Sequence, residues 1–319
     1  MLKIWAALLR VKLTDSDLDR LFSDLLVDVP IMTIKDYSTF VYCYSKCSKE
    51  LLTQETRRRL ADYPKKDIFN IEYVDLSTLM NSISNIEGFE VDDHFFDVML
   101  LKVEEFRPER SNQRNASNIL IGIRGHLHKR PELQKAFEKR LILFANMELM
   151  SEPIDLQSVT SMFYDLIRVP SYSEELVAAM EKLMMNCILP ENKHRFINMK
   201  PKFVFRMLHV FKIHKDRHPE YTLDLNLKSA VGSYICREAP LLPQEELLEL
   251  IQMSIFFFKS QPVCLSLIEA MDSLIKRSPN KELIEVRNKF CLLKNIACFG
   301  CKDHLKAPSL QSTTKPANS

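Results

Sequence analysis

Asp75-Leu76-Ser77-Thr78-Leu79-Met80-Asn81-Ser82-Ile83 is one copy of a phrase that this chain repeats. Asp36-Tyr37-Ser38-Thr39-Phe40 precedes it, and Asn115-Ala116-Ser117-Asn118-Ile119 and Asp155-Leu156-Gln157-Ser158-Val159 follow. Two looser copies start at Met199, leading into Lys200-Pro201-Lys202-Phe203, and at Pro243, leading into Gln244-Glu245-Glu246-Leu247. Counted from Asp36, the starts lie 39, 40, 40, 44 and 44 residues apart. A repeat of about 40 residues with relaxed identity marks stacked supersecondary units, and it points to a binding surface rather than a catalytic pocket.

Each copy reads as a helix start. Asp36, Asp75, Asn115 and Asp155 suit an N-cap, where a short side-chain oxygen accepts from the orphan N–H groups of the first turn. The residue four positions on is apolar in every copy (Phe40, Leu79, Ile119, Val159, Phe203, Leu247). So is the eighth: Tyr44, Ile83, Ile123, Phe163, Met207 and Ile251. A spacing of four keeps these on one helix face as a buried stripe. The third residue is polar each time (Thr39, Thr78, Asn118, Ser158, Lys202, Glu246), which leaves the opposite face wet or open to contacts. Ile83, Ile123, Phe163 and Ile251 are expected to be buried between units.

A second helix follows in each unit. Asp92 to Leu101, Pro131 to Met147, Ser173 to Met185, Leu225 to Arg237 and Pro262 to Lys276 carry the pattern. Pro131 and Pro262 fit the first helical position, where a missing N–H costs nothing, and Ser173 before Glu174 and Glu175 suits a cap. Two helices with one apolar stripe each cannot bury both alone, whereas stacked neighbours share one core. The fold class expected is all-α, an α-solenoid of about five to six stacked helical hairpins. It occupies residues 31–280, between N-terminal helices over 1–30 and a capping helix over 281–301. Residues 302–319, rich in Pro, Ser, Thr and Lys, read as a disordered tail.

Composition narrows the function. The chain has 319 residues and 46% apolar content, enough for a large core, and length alone would suggest two domains were it not for the repeat. Its five glycines form neither GxGxxG nor GxxxxGK[ST], which argues against dinucleotide and P-loop folds. The eight cysteines sit mostly on apolar stripes and read as reduced core thiols. Cys298-x2-Cys301-x2-His304 is half a zinc site, but its one nearby fourth ligand, Cys291, stands at an unfamiliar spacing, so no metal and no cofactor are expected. His126, His128, Asp216 and Cys301 lack partners at a spacing that defines a reaction, and an enzyme is not expected. No apolar run reaches the length of a membrane span, since Ile255 to Phe258 is cut by Lys259, and no membrane partner is expected. Met1 to Lys12 is basic, free of acids and amphipathic; it reads either as an organelle-targeting segment or as an ordinary first helix.

Charge is unevenly spread. Glu72 to Glu105 holds nine acids against one base, Lys102. Lys193 to His218 holds Lys193, Arg195, Lys200, Lys202, Arg206, Lys212, Lys215 and Arg217, interleaved with four histidines, against Asp216 alone. A second basic stretch contains Arg124, Lys129 and Arg130, and a third Arg57, Arg58 and Arg59. Concentrated positive charge suits a polyphosphate backbone, with counterion release supplying affinity. The alternative is a set of solvated side chains on helix ends. The RNA-binding candidates are the eight basic residues from Lys193 to Arg217 together with Arg124, Lys129 and Arg130, with Lys200, Lys202 and Arg206 as the leading group. The acidic first third could instead meet a basic partner protein.

The phrases Asp75 to Ile83 and Asp155 to Phe163 resemble the degenerate helical repeats of organelles, the octotricopeptide and heptatricopeptide repeats and the helical region upstream of RAP domains. The likeness covers roughly residues 30 to 280. It implies a mitochondrial RNA-binding protein that partners RNA, ribosomal RNA above all, and other proteins of a ribonucleoprotein complex. The spacing here is longer and less regular than in those families, and no RAP domain follows Lys281. Both departures favour a structural component or assembly factor of an organellar ribosome over a reader of sequence. The competing reading is a protein-binding α-solenoid scaffold of a mitochondrial complex.

Overall fold

The structure, a computed structural model, describes residues 20, 24–46, 53–65, 67–107, 110–146, 148, 152–197, 199–258 and 261–293. Met1 to Lys12, Cys47, Cys298, Cys301, His304 and the tail over 302–319 lie outside the described residues, as does the end of the expected capping helix. The chain is predominantly helical and divides into two compact units, Met1–Thr222 and Leu223–Ser319. The division falls inside the sequence repeat.

In the first unit, α1 (Ile34–Tyr44), α3 (Tyr73–Ile83), α5 (Arg110–Ile123), α7 (Leu156–Leu166) and α9 (Pro201–Arg217) are the helices of the repeated phrase. Each packs on the next along the chain. Between them run α2 (Gln54–Ala61), α4 (Asp93–Glu104), α6 (Pro131–Ala145) and α8 (Glu174–Ile188), and α4, α6 and α8 likewise pack in succession. The reason is the stripe. Every residue at the fourth and eighth positions of the phrase is buried, Ile83, Ile123, Phe163 and Ile251 among them. Hydrogen bonds tie the same helices: Ser38 Oγ donates to the carbonyl of Asp75 at 2.8 Å, and Gln113 Oε1 accepts from the Asp155 N–H at 2.7 Å.

In the second unit, α10 (Leu225–Glu238), α11 (Gln244–Phe257), α12 (Gln261–Arg277) and α13 (Lys281–Leu293) pack around α12. Among the described residues no helix is long and apolar enough to cross a membrane.

The caps differ from the expected positions at three of six starts. Asp155 and Pro243 are N-caps and Lys200 caps α9 one residue after Met199, but α1 is capped by Thr33, α3 by Glu72, and α5 begins at Arg110. Asp36 and Asp75 therefore stand in the first turn, and Asn115 lies further inside its helix. Thr33 shows why. Its Oγ1 accepts from the Asp36 N–H and donates to the Asp36 carboxylate, so Thr33 caps and the acid three residues on completes the contact. The acid still faces the positive end of the helix, and the buried stripe keeps its register because it is counted from the phrase, not from the cap.

Second helices begin as expected. Asp92 accepts from Phe95 N–H, Ser173 from Leu176 N–H, and Pro131 holds the first position of α6. α2, capped by Thr53, was not anticipated, because its Arg57-Arg58-Arg59 run hides any apolar period. A parallel pair of two-residue strands, β1 (Ile154–Asp155) and β2 (Phe196–Ile197), also escaped the sequence reading, since two residues cannot display an alternation. Cys43, Cys187, Cys236 and Cys264 are reduced, the expected state, whereas Cys291 is disulfide-bonded and so departs from it.

Candidate nucleic-acid interface

The face of each first helix turned away from the core carries its less buried residues at spacings of four, three and four. On α7 these are Gln157, Ser161, Tyr164 and then Arg168 just past its end; on α9 they are Lys202, Arg206, His209 and Ile213. The two rows are joined side by side. Arg206 Nη1 donates to Ser161 Oγ at 3.0 Å, and the rings of Tyr164 and His209 meet edge to face at 5.4 Å.

At the end of α7 sits Asp165, a buried carboxylate with 8% exposure. Burial pushes its carboxyl up, against the pull of Arg124, Arg168 and Arg206. Arg124, just past α5, lies 3.8 Å from it. One buried acid thus gathers three arginines that follow or belong to three successive packed helices, and the local balance is positive. A cleft of about 250 Å³ opens here, lined by Arg124, Gly125, His128, Asp165, Arg168, Val169 and Pro170. Arg168 spreads its guanidinium 4.4 Å over the Tyr164 ring. Arg168, Tyr164 and Asp165 are not marked by the charge pattern, because Arg168 stands outside all three basic stretches. Its only sequence signal was the turn that follows α7.

The other candidates separate. Lys202 and Arg206 are exposed on the α9 row, and Lys200 stands at the cap just before it, its own side chain making no cap bond. Lys202 also approaches the Phe203 ring at 5.3 Å. Lys129 ends a turn before α6, and Lys193 and Arg195 lie in the turn Pro190–Arg195 before β2. Arg130 pairs with Asp93 and covers the Phe96 ring. Lys212 pairs with Asp216 at 2.7 Å. Lys215 donates to the carbonyls of Pro219 and Tyr221. Arg217 donates to the carbonyls of Ile167, Arg168 and Val169, closing the turn after α7. The donors of Arg130, Lys215 and Arg217 are thus used inside the chain, and Arg217 pins the backbone that carries Arg168.

Two histidines of the basic stretch, His214 and His218, form their own cluster. His214 is buried, with Nδ1 2.7 Å from the Tyr172 hydroxyl, its ring 4.6 Å from His218 and 4.5 Å from Tyr221. Arg217, Glu174 and Glu220 also act on it. Burial, then His218, hold its imidazolium below the usual histidine range. A base whose folded value is depressed binds fewer protons when folded, so stability is full above about 6.5 and lost as the pH falls through the folded value. His126, depressed by burial and Lys129, acts in the same direction. Urea midpoints measured from pH 7 to pH 5 should fall, and His214→Gln should make that fall shallower without abolishing it. An unchanged slope in the variant would sink this assignment. Among the described residues no group of His, Cys, Asp and Glu is placed to hold a metal ion. Set against protein-family models, curated proteins and solved structures, the chain matches none of them.

Proposed function

We propose that this protein is an α-solenoid that binds RNA in the mitochondrion, as a structural component or assembly factor of the organellar ribosome. The observation that carries the RNA reading is the convergence of Arg124, Arg168 and Arg206 around Asp165, with Lys202 and Lys200 continuing the positive surface along α9. Arginine forks suit phosphate oxygens, and a row spanning several helices suits a polymer better than a small ligand. The solenoid reading is supported by the succession of like helices packing on one another in the first unit. The mitochondrial placement rests on the resemblance to organellar repeats.

Filter binding of single-stranded RNA over a salt series tests the proposal. Log affinity should fall linearly with log salt, because each neutralised phosphate releases counterion. Absence of binding at low salt, or binding indifferent to salt, would remove the RNA reading. A protein-binding scaffold is then the better description, favoured by the second unit, where Leu225 and Leu241 are 79% and 76% exposed.

A further inference from the structure

We infer that the turn after α7 is a docking site for an unstacked nucleobase, so that the protein selects single-stranded over duplex RNA. This rests on the RNA-binding reading above. Three features of the site support it.

The first is a flat platform. The Arg168 guanidinium lies 4.4 Å over the Tyr164 ring and Arg168 is exposed, so a planar cation held against the ring stands at the surface. A guanidinium plane and an aromatic ring are both surfaces on which splayed bases stack. The second is rigidity. His209 braces the Tyr164 ring from α9, and Arg217 binds three consecutive carbonyls of the turn, that of Arg168 included. The platform is therefore built before any ligand arrives. The third is the setting. The cleft beside it is edged by Arg124, and Arg206 stands one turn from His209, so phosphates on either side of a docked base would meet arginine. In a duplex the bases are stacked inside the helix, and a convex backbone offers this platform nothing to cover.

The test uses the full chain and RNA of one sequence, single-stranded or annealed to its complement, with 2-aminopurine in the single strand. The wild-type protein should prefer the single strand by on the order of tenfold, the scale of one base–platform stack, and should quench the 2-aminopurine. Arg168→Lys keeps the charge and removes the plane. It should abolish the quenching and most of the preference while leaving the salt slope as in wild type. Tyr164→Leu should behave likewise and Tyr164→Phe like wild type, with thermal melts confirming that each variant is folded. Since Arg168 is exposed, its variant keeps the test decisive if Tyr164→Leu does not fold. Quenching and preference retained in Arg168→Lys, or a wild type that binds duplex equally well, would overturn the inference alone. A wild type that binds neither form overturns the RNA reading, and the docking site with it.

Discussion

Replacing Lys200, Lys202 and Arg206 together by Glu is expected to weaken single-stranded RNA binding by on the order of a hundredfold at low salt. Lys202 and Arg206 are exposed on one row of α9, and Lys200 stands at its N-terminal cap beside first-turn N–H groups. Those N–H groups already favour an anion. If the three side chains contact phosphate, the slope of log affinity against log salt should fall by roughly two, since each single-strand contact contributes about 0.7. The loss should be uniform across RNA sequences, because phosphate contacts position a chain without reading it. The Gln triple variant separates lost attraction from added repulsion: its slope should match the Glu variant while its affinity loss is smaller. Lys212→Gln is the internal comparison. Lys212 belongs to the same basic run but is paired with Asp216. Equal effects from Lys212→Gln and the triple variant would mean that overall charge, not this row, drives binding. Unchanged affinity and slope in the triple variant would remove the row from the RNA surface.

A methyl group at Gly122 is expected to destabilise the first unit by about 1–3 kcal/mol, the usual cost of overpacking. A Cβ at Gly122 would lie 2.5 Å from the Met80 carbonyl oxygen and 2.8 Å from Met80 Cβ. The obstacle is chiefly backbone, so α3 and α5 must separate, and the side chains cannot simply turn aside. Helix propensity predicts the opposite sign, since Ala is favoured over Gly inside a helix by about 1 kcal/mol. Steric contact should win, and Gly122→Val should cost more than Gly122→Ala. Gly125 is the matched case: an added Cβ there meets nothing within 4 Å. Gly125→Ala should stay within about 0.5 kcal/mol of wild type. Urea unfolding of the two Ala variants decides the matter. A neutral or stabilising Gly122→Ala would show that the helices part at little cost.

Much of the helical pattern was legible because it is local. A stripe every four residues from Phe40, Leu79 and Ile119 places apolar atoms on one side of a helix whatever the helix packs against. Start signals at Ser173, Asp92 and Pro131 act within one turn, and the structure uses them there. The first-helix cap at Thr33 was less legible, because it shares its contact with Asp36 three residues later and either could be taken for the start, and Glu72 caps α3 without a side-chain bond to mark it. The helix Gln54–Ala61 was obscured by its run of arginines, and β1 and β2 are too short to carry a pattern.

The candidate site divides in the same way. A count of charge along the chain grouped Lys212, Lys215 and Arg217 with Lys202 and Arg206, yet their surroundings differ. Arg217 closes the turn after α7, and Lys215 closes the turn after α9. Conversely Arg124, Arg168 and Arg206 come from distant parts of the chain, and packing of α5, α7 and α9 gathers them around Asp165. By itself the sequence determined that the chain is helical, where its apolar faces lie and how often the unit repeats, because those depend on periodicity and near-neighbour hydrogen bonds. Only the tertiary structure decided which cations share a surface, which are consumed as caps, and why residue 122 is glycine. The contacts of Gly122 with Met80, of Arg206 with Ser161 and of Arg217 with the turn after α7 join residues about 40 to 50 positions apart, and a linear spacing carries no record of which neighbour a side chain will meet.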